Sequence, residues 1–382
     1  MALYDLILEE LRYRGIAYSR VFAPPYICSI GAHLFNIHNK HHNVYFELGR
    51  VPDMRVHIMF VAVPGFSKSL FIEQFLRGPQ AILYDSGIDI GFESIMTEAG
   101  FVGTRRYESG TEINVVGAAY EYRKAIVGIE EFSALASMMR AQHSKSLDAA
   151  ILTALDSGWL EKRLAAGRIR YQTFLSLWAA TQPMRFDLTS GLARRFVFVV
   201  FLPKQQDRML IRKARREGRG KVFNVDRTLA IRNGLKKLVN DVNYIRDIDY
   251  PESLYKLFDD YDIPHYEEAL YERIAIGYEI MKRGVRRVLQ VILDEELRRI
   301  IKQVINWRLK VKFGAQYAQI LTILVDMGRE VEYDKLLKEA LYYGLEPREV
   351  EQLLTDLGKM KMISFQGRTV RLVTLDPSLR GD

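Results

Sequence analysis

Residues 56–75 have the sequence Val-His-Ile-Met-Phe-Val-Ala-Val-Pro-Gly-Phe-Ser-Lys-Ser-Leu-Phe-Ile-Glu-Gln-Phe. An apolar run of strand length, from His57 to Val63, leads into a Pro-Gly turn, the pair Lys68-Ser69 and the apolar-rich start of a helix. This order predicts a buried parallel strand, a tight turn and a helix N-terminus, which is the layout of a phosphate-binding loop. Backbone N–H groups and the positive end of a helix can bind phosphates at such a turn.

The loop departs from the strict pattern G-x-x-x-x-G-K-[ST] at two positions. Ala62 replaces the first glycine, and Ser67 replaces the glycine before the lysine. We predict that Lys68 reaches the β- and γ-phosphates and that the Ser69 hydroxyl binds Mg²⁺. The alternative is an ordinary strand–turn–helix with an exposed lysine. The residues predicted to contact the nucleotide are Pro64, Gly65, Phe66, Ser67, Lys68, Ser69 and Leu70.

A second apolar run ends in carboxylates. Residues 125–132 have the sequence Ala-Ile-Val-Gly-Ile-Glu-Glu-Phe. A strand here would carry the acids to the phosphates, so that Glu130 holds Mg²⁺, directly or through water, and Glu131 orients the attacking water. A buried strand that ends in a solvated acidic turn would have the same composition. The position of the run downstream of the phosphate loop favours the nucleotide interpretation.

The next two segments carry basic and polar side chains. Residues 159–172 predict a two-stranded hairpin with a basic tip. Residues 174–180 predict a buried strand that ends at Gln182, whose side chain could touch the γ-phosphate or the lytic water. The hairpin cations, which are the candidate DNA contacts, are Lys162, Arg163, Arg168 and Arg170.

Strands alternate with helices through this region, which predicts an α/β fold with a parallel sheet. We place a further short strand at Ala81–Tyr84 and a last one at residues 196–202. Residues 2–14 have helical periodicity. Residues 21–30 contain two adjacent prolines and predict an irregular connector.

The second half of the chain is mainly helical. Residues 204–221 are strongly basic, which is typical of a solvated helix face and compatible with DNA phosphate contact. Residues 226–242, 264–283 and 294–309 have helical spacing. Residues 315–373 predict three helices and a hairpin, the order of a winged helix–turn–helix. Such a module binds duplex DNA through its third helix or serves as a packing module.

Composition sets the broad class of protein. The chain has 382 residues, 48% of them hydrophobic, and a formal net charge of +8, which favours a polyanionic partner such as nucleic acid. Cys28 is the only cysteine, so we expect no disulfide and a cytoplasmic location. No apolar run is long enough to span a bilayer, and we predict no membrane partner.

Together these motifs resemble the AAA+ module of the minichromosome maintenance (MCM) replicative helicases, over roughly residues 20–375. The family's loop G-D-P-G-x-A-K-S matches the segment Ala62–Ser69 except at Ala62 and Val63, which replace its glycine and aspartate, and its I-D-E-F motif matches Ile129–Phe132. Its A-A-x-N-P motif matches Ala179–Pro183, and its L-L-S-R-F-D motif places Arg195 at the arginine finger.

The resemblance implies an AAA+ P-loop NTPase core with a parallel sheet, a helical lid and a C-terminal winged helix. It implies ATP and Mg²⁺ as cofactors, with Glu131, Gln182 and Arg195 as catalytic residues and Ser69 and Glu130 on the metal. It also implies DNA, replication proteins and a hexamer-like ring of identical chains as partners. The predicted domains are N-terminal helices and linker (1–50), AAA+ core with hairpin (51–224), lid (225–311) and winged helix (312–376).

Some positions depart from the family pattern. Glu130 stands in place of an aspartate, and Ala165 in place of the hairpin lysine. Arg273 is the candidate for the second-sensor arginine. About 55 residues precede the loop, so we expect the family's N-terminal DNA-binding domain to be missing.

Three functions follow as hypotheses. The first is a DNA-dependent ATPase that acts in DNA replication as an oligomer, with possible helicase activity. The second is a catalytically degenerate homologue that binds DNA or a helicase, because Ala62 and Glu130 alter the site. The third is an initiator-type protein that loads a helicase.

Overall fold

The computed structural model describes residues 1–40, 53–66, 68–93, 97–108, 111–132, 145–164, 167–183, 191–217 and 223–374. Its helices are α1 (Leu3–Tyr13), α2 (Ser19–His38), α3 (Lys68–Leu76), α4 (Glu98–Val102), α5 (Ala118–Glu121), α6 (Lys145–Leu155), α7 (Gln205–Glu217), α8 (Val225–Asp241), α9 (Glu252–Asp260), α10 (His265–Arg283), α11 (Glu295–Phe313), α12 (Ala315–Asp326), α13 (Tyr333–Tyr342) and α14 (Pro347–Lys359). Within these described ranges, no helix is both long and apolar enough to cross a membrane.

The strands of the described residues form five separate sheets. They are β1 (His57–Ala62), β2 (Ile90–Glu93), β3 (Gly103–Glu108), β4 (Thr111–Val116), β5 (Ile126–Ile129), β6 (Trp159–Leu164), β7 (Gly167–Gln172), β8 (Ser176–Thr181), β9 (Phe196–Phe201), β10 (Asp247–Asp249), β11 (Val288–Gln290), β12 (Glu330–Glu332), β13 (Ile363–Gln366) and β14 (Thr369–Leu372). The largest sheet has the order β2-β5-β8-β1-β9, and every pairing in it is parallel.

Three neighbouring strands of this sheet, including the edge strand β9, are buried on both faces. All residues of β1, β8 and β9 are buried, as expected for continuous apolar runs in a parallel sheet covered by helices. The parallel pairing brings the carboxyl ends of β1, β5, β8 and β9 to one edge of the sheet. The prediction of an α/β fold with a parallel sheet is therefore confirmed.

The strand predicted at Ala81–Tyr84 is wrong. These residues form turns, and the neighbouring strand is β2. The segment is apolar because Ile82 and Leu83 are buried against the end of α3, where their N–H groups bond to the carbonyls of Gln74 and Phe75. A buried turn and a buried strand have the same hydrophobic signal over four residues.

The irregular connector predicted at residues 21–30 is also wrong. This segment lies within α2, which continues through Pro24 and Pro25. Each proline leaves one helical carbonyl without its N–H partner, which ordinarily destabilises a helix. Almost every residue from Phe22 to Asn36 is buried, and this burial offsets the lost hydrogen bonds.

Two antiparallel hairpins extend from the α/β core. The β6–β7 hairpin confirms the prediction for residues 159–172. The β3–β4 hairpin was not predicted, and it follows the short helix α4. Tyr171 of β7 joins the first hairpin to the end of α4, because its hydroxyl donates a hydrogen bond of 2.9 Å to the Val102 carbonyl.

The described residues form two hydrophobic cores. The first contains the N-terminal helices, the parallel sheet and helices α8 to α11. The second belongs to the C-terminal unit, residues 315–372, in which α12 to α14 pack with the antiparallel sheet β12-β14-β13. One residue from outside this unit, Val63, is buried in the second core.

Helix α2 crosses α10 in direct backbone contact, and glycine at the crossing makes this possible. A Cβ atom on Gly277 would lie 2.6 Å from the carbonyl carbon of Cys28. A Cβ atom on Gly31 would lie 2.9 Å from the Cα atom of Gly277. The atoms that each added Cβ would meet belong to the backbone, so they cannot move unless the two helices separate.

We predict that Gly277→Ala lowers the free energy of unfolding by about 3 kcal/mol, because the added methyl forces the two helices apart. Gly358→Ala is the matched control, since Gly358 also lies in a helix and its Cβ would meet only the Phe365 ring, at 3.6 Å. That variant should be neutral or more stable by up to about 1 kcal/mol. Urea titrations measure the free energy of unfolding of both variants. Equal changes in the two variants would contradict the close backbone contact at the helix crossing.

Two buried histidines link the strands. The His57 Nδ1 atom accepts a hydrogen bond of 3.0 Å from the Leu177 N–H, and its Nε2 atom lies 3.2 Å from the Leu155 carbonyl. His33 lies 2.8 Å from the Ser176 hydroxyl. Burial, assisted by nearby cations, lowers the pKa of each imidazole to about 3 from 6.5.

We predict that the folded chain loses stability as the pH falls from about 6.5 to about 3, because the unfolded chain binds protons that the buried imidazoles reject. Each histidine should contribute about 1.4 kcal/mol per pH unit in this window. His33→Gln should flatten the slope, whereas His265→Gln, at an exposed position, should leave it unchanged. Identical slopes for the wild type and His33→Gln would contradict this account.

Candidate nucleotide-binding site

The turn after β1 leads into α3, which is the strand–turn–helix order that the sequence predicts. Gly65 has φ +80°, a conformation that side chains disfavour, and both Pro64 and Gly65 are exposed. Lys68 is the first residue of α3 and is buried, whereas Ser69 is half-buried and Leu70 is exposed. Ser67 lies outside the described residues. The first-turn N–H groups of α3 therefore begin directly behind an exposed glycine turn.

The predicted acids and the predicted sensor lie at the same edge of the sheet. Glu130 and Glu131 directly follow β5, and Gln182 directly follows β8; all three are half-buried. Strand β8 lies between β1 and β5, so Gln182 is between the loop and the acids. The sheet thus brings together three segments that are far apart in the chain.

A buried hydroxyl marks this edge. Thr181 pairs with Val61 and is fully buried, yet its Oγ1 atom has no hydrogen-bond partner among the described residues. Buried polar groups are nearly always paired, in the protein or with a ligand or water. The donor set fits a phosphate and a hard cation, because it combines an amine, hydroxyls, an amide and carboxylates.

The protein alone does not build a metal cage here. In the described part of the chain, no three His, Cys, Asp or Glu side chains are close enough to hold a metal ion. Magnesium often takes only one or two protein ligands and completes its shell with phosphate oxygens and water. The two predicted ligands, Ser69 and Glu130, would match that mode of binding.

A cavity of about 390 Å³ lies beside the loop. Its walls come from the turn between α1 and α2, the loop and α3, the end of β9, and α7. Apolar and aromatic side chains dominate, and the charged members are the buried Arg14 and the exposed Arg215. The aromatic members are Tyr18, Phe22, Phe60, Phe66, Phe71 and Phe201. Such a pocket suits a flat, partly apolar ring.

Sequence reasoning did not identify this cavity. Its walls come from chain segments separated by as many as 200 residues, counted from Arg14 to Arg215. No local pattern connects Tyr18, Phe66 and Ile211, because each segment satisfies its own helix or turn periodicity. Only the tertiary fold brings them together.

Arg195 lies at the opposite edge of the sheet. It ends the 3₁₀ segment Gly191–Arg195 and immediately precedes β9, whose six residues separate it from the loop edge by about 20 Å. Its guanidinium donates hydrogen bonds to the Asp156 carboxylate (2.8 Å) and the Gly191 carbonyl (2.6 Å). It does not reach the phosphate loop of its own chain.

Arg273 also lies at this opposite edge, which excludes it as a second sensor in its own chain. It is deeply buried in α10, and its guanidinium donates a hydrogen bond of 3.2 Å to the carbonyl of Arg55, before β1. Helical spacing alone does not reveal which end of the sheet a helix approaches. The position of Arg273 therefore does not support a sensor role within its own chain.

The C-terminal unit packs directly on the loop. The Phe66 ring lies 5.7 Å from the Phe201 ring and 6.0 Å from that of Tyr343 in the C-terminal unit. Pro64 abuts Gly344, where an added Cβ would be 2.9 Å from the proline Cγ. Val63, which departs from the aspartate of the MCM pattern, is buried in the unit's core. The departure therefore has a packing explanation.

The predicted DNA-contact residues make several intramolecular contacts. Lys162 forms a salt bridge of 2.9 Å with Glu98, and Arg168 forms one with Glu161. Arg170 stacks over the Trp159 ring at 5.2 Å. Arg163 is exposed and forms no salt bridge with the acids in the described ranges. Residues 165 and 166, at the hairpin tip, lie outside the described residues.

No protein-family model matches the chain, and no curated protein sequence matches it.

We predict that Val63→Asp releases the C-terminal unit from the loop, because a carboxylate cannot be buried unpaired in its apolar core without a cost of several kcal/mol. Hydrogen exchange should increase in α12 to α14 and remain low in β1, β8 and β9. Val373→Asp is the matched control, since Val373 is 57% exposed. Equal protection in the two variants would show that Val63 does not anchor the unit.

Proposed function

We propose that the chain is an ATPase of the AAA+ type, similar to the MCM motor, that is stimulated by DNA and acts as an oligomer. The observation that supports this most is the shared edge of the sheet. The glycine turn with Lys68, the acid pair Glu130-Glu131 and Gln182 meet there, with β8 between the loop strand and the acid strand.

The proposed roles follow from charge and position. Lys68 and the α3 N-terminus bind the β- and γ-phosphates, and Ser69 with Glu130 holds Mg²⁺. Bound MgATP supplies the phosphoryl group that is transferred to water. Glu131 orients that water and accepts its proton, and Gln182 donates a hydrogen bond toward the γ-phosphate. The aromatic cavity beside Phe66 accommodates the base.

Arg195 completes the site of a neighbouring copy. Its distance from the loop of its own chain makes a role in cis impossible, and a guanidinium from a second chain is a strong stabiliser of a transferring phosphoryl group. The salt bridge with Asp156 holds the side chain at the surface until the neighbour docks. The hairpin cations and the C-terminal unit, whose element order is that of a winged helix, are the proposed DNA contacts.

We predict that Lys68→Ala and Glu131→Gln each reduce DNA-stimulated ATP hydrolysis at least about 100-fold, since each removes a group that acts on the transferring phosphate. Glu131→Gln should still bind MgATP. The rates are measured with no DNA, with single strands and with duplex. Hydrolysis that survives both substitutions would refute the assignment, and MgATP binding without turnover in the wild type would indicate a non-hydrolysing binding protein.

Mixing experiments test the role of Arg195 in trans. Arg195→Ala should reduce turnover about 10³-fold. An equal mixture of Arg195→Ala and Glu131→Gln should recover about one quarter of the wild-type rate, because a quarter of head-to-tail interfaces then pair an intact loop with an intact arginine. Asp156→Asn, which alters only the partner of the arginine, is the control and should retain activity. A mixture as inactive as its components would contradict a role in trans.

A further inference from the structure

Helix α7, called the basic helix from here on, has no buried residue. Its outward face combines the cations Arg212, Lys213 and Arg216 with two exposed apolar side chains, Met209 (73%) and Leu210 (50%). Residues 204–217 contain six basic residues against two acids. A face of this kind is exposed in the isolated chain and suits a partner that is acidic and partly apolar.

The basic helix borders the nucleotide site. It follows the carboxyl end of β9, and Ile211 and Arg215 help to line the cavity beside Phe66. The Tyr18 hydroxyl, from the same cavity wall, donates a hydrogen bond to Asp207. Whatever binds the outward face of this helix will therefore sit next to the phosphate loop.

The same chain carries a surface of opposite character, residues 247–262, called the acidic surface. Lys256 is the only basic residue in it. Tyr255, within it, and Tyr266, just beyond it, are exposed aromatic side chains. Its acids are all exposed, and they are Asp247, Asp249, Glu252, Asp259, Asp260 and Asp262.

The start of α10, which follows the acidic surface after two residues, lies beside Arg195. The Arg194 guanidinium stacks over the Tyr266 ring at 5.4 Å. Arg308 connects the two segments, since it forms a salt bridge of 2.6 Å with Glu267 and hydrogen bonds of 3.2 Å with the carbonyls of Ala193 and Phe196. The basic helix therefore lies at the carboxyl edge of the sheet, and the acidic surface adjoins the amino edge. The two surfaces cannot meet within one chain.

We propose that the basic helix of one copy docks on the acidic surface of the next copy. This head-to-tail contact would carry Arg195 of the second copy toward the phosphate loop of the first. The inference rests on the proposed function for the role of Arg195, whereas the pairing of the two surfaces is argued from their charges alone. Because the two patches differ, the contact is heterologous and generates a ring or an open filament.

Nucleic acid is the competing partner for the basic helix. Phosphates would satisfy its cations but would leave Met209 and Leu210 without apolar cover. The acidic surface of a second copy offers both carboxylates and exposed tyrosine rings, which can pack on apolar and cationic side chains. The composition of both faces thus favours a second copy.

Charge reversal tests the pairing. One variant carries Arg212→Glu and Arg216→Glu, and the other carries Asp259→Lys and Asp260→Lys. Sedimentation velocity with MgATP at about 50 mM salt should show that each reversal weakens self-association at least about 100-fold. The mixture of the two, and a chain with all four changes, should associate like the wild type because opposite charges face each other again. Lys338→Glu with Arg348→Glu, at exposed sites of the C-terminal unit, is the control and should associate normally.

Several outcomes would overturn the inference. They are a wild type that stays monomeric, reversals that leave association unchanged, or a mixture that does not recover. Loss of DNA binding with unchanged association would assign the basic helix to nucleic acid. ATP turnover is measured on the same samples. Association that depends on these charges, without ATP turnover, would refute only the proposed function. ATP turnover without association that depends on these charges would refute only this interface.

Discussion

Parallel pairing of β1 with β8 and β9 is the constraint on which the site depends. The register is secured at the amino edge of the sheet, where His57 bonds to the backbone of β8 and of α6. The buried Arg55 adds hydrogen bonds to the carbonyls of Ala154 and Asp156. A slip of one residue would move Gln182 and the acid pair relative to the phosphate loop and would exchange the side chains that face the helices on the two sides of the sheet.

The two edges of this sheet have different chemistry. The carboxyl edge holds the glycine turn, the acids and the aromatic cavity, whereas the amino edge holds Arg195 and the acidic surface. Under the proposed function, a complete catalytic site therefore requires two copies. The C-terminal unit adds a second dependence, because Val63 and Phe66 join the loop to its core. Any ligand that shifts the loop must also act on that packing, which couples the two energetically.

Much of the α/β core could be predicted from the sequence, because long apolar runs separated by glycine turns constrain the chain locally. The strand of the loop, the acid strand, the β6–β7 hairpin and the helices of the second half lie close to their predicted positions. Tertiary burial overruled local signals in α2, where two prolines lie inside a helix, and at Ile82, where an apolar turn resembles a strand. The aromatic cavity, the edge occupied by Arg273 and the packing of Val63 depend on contacts between distant segments, for which no local pattern exists.

The central claim is that the carboxyl edge binds a magnesium nucleotide, and calorimetric titration with ATP measures this directly. Titrations are performed with and without Mg²⁺ on the wild type and on Lys68→Ala. The account predicts one Mg²⁺-dependent site per chain, with affinity about 10- to 100-fold lower when the lysine is removed, since hydrogen bonds to charged groups each contribute about 1.5–3 kcal/mol. Absence of binding in the wild type, or binding that neither Mg²⁺ nor Lys68→Ala affects, would contradict it.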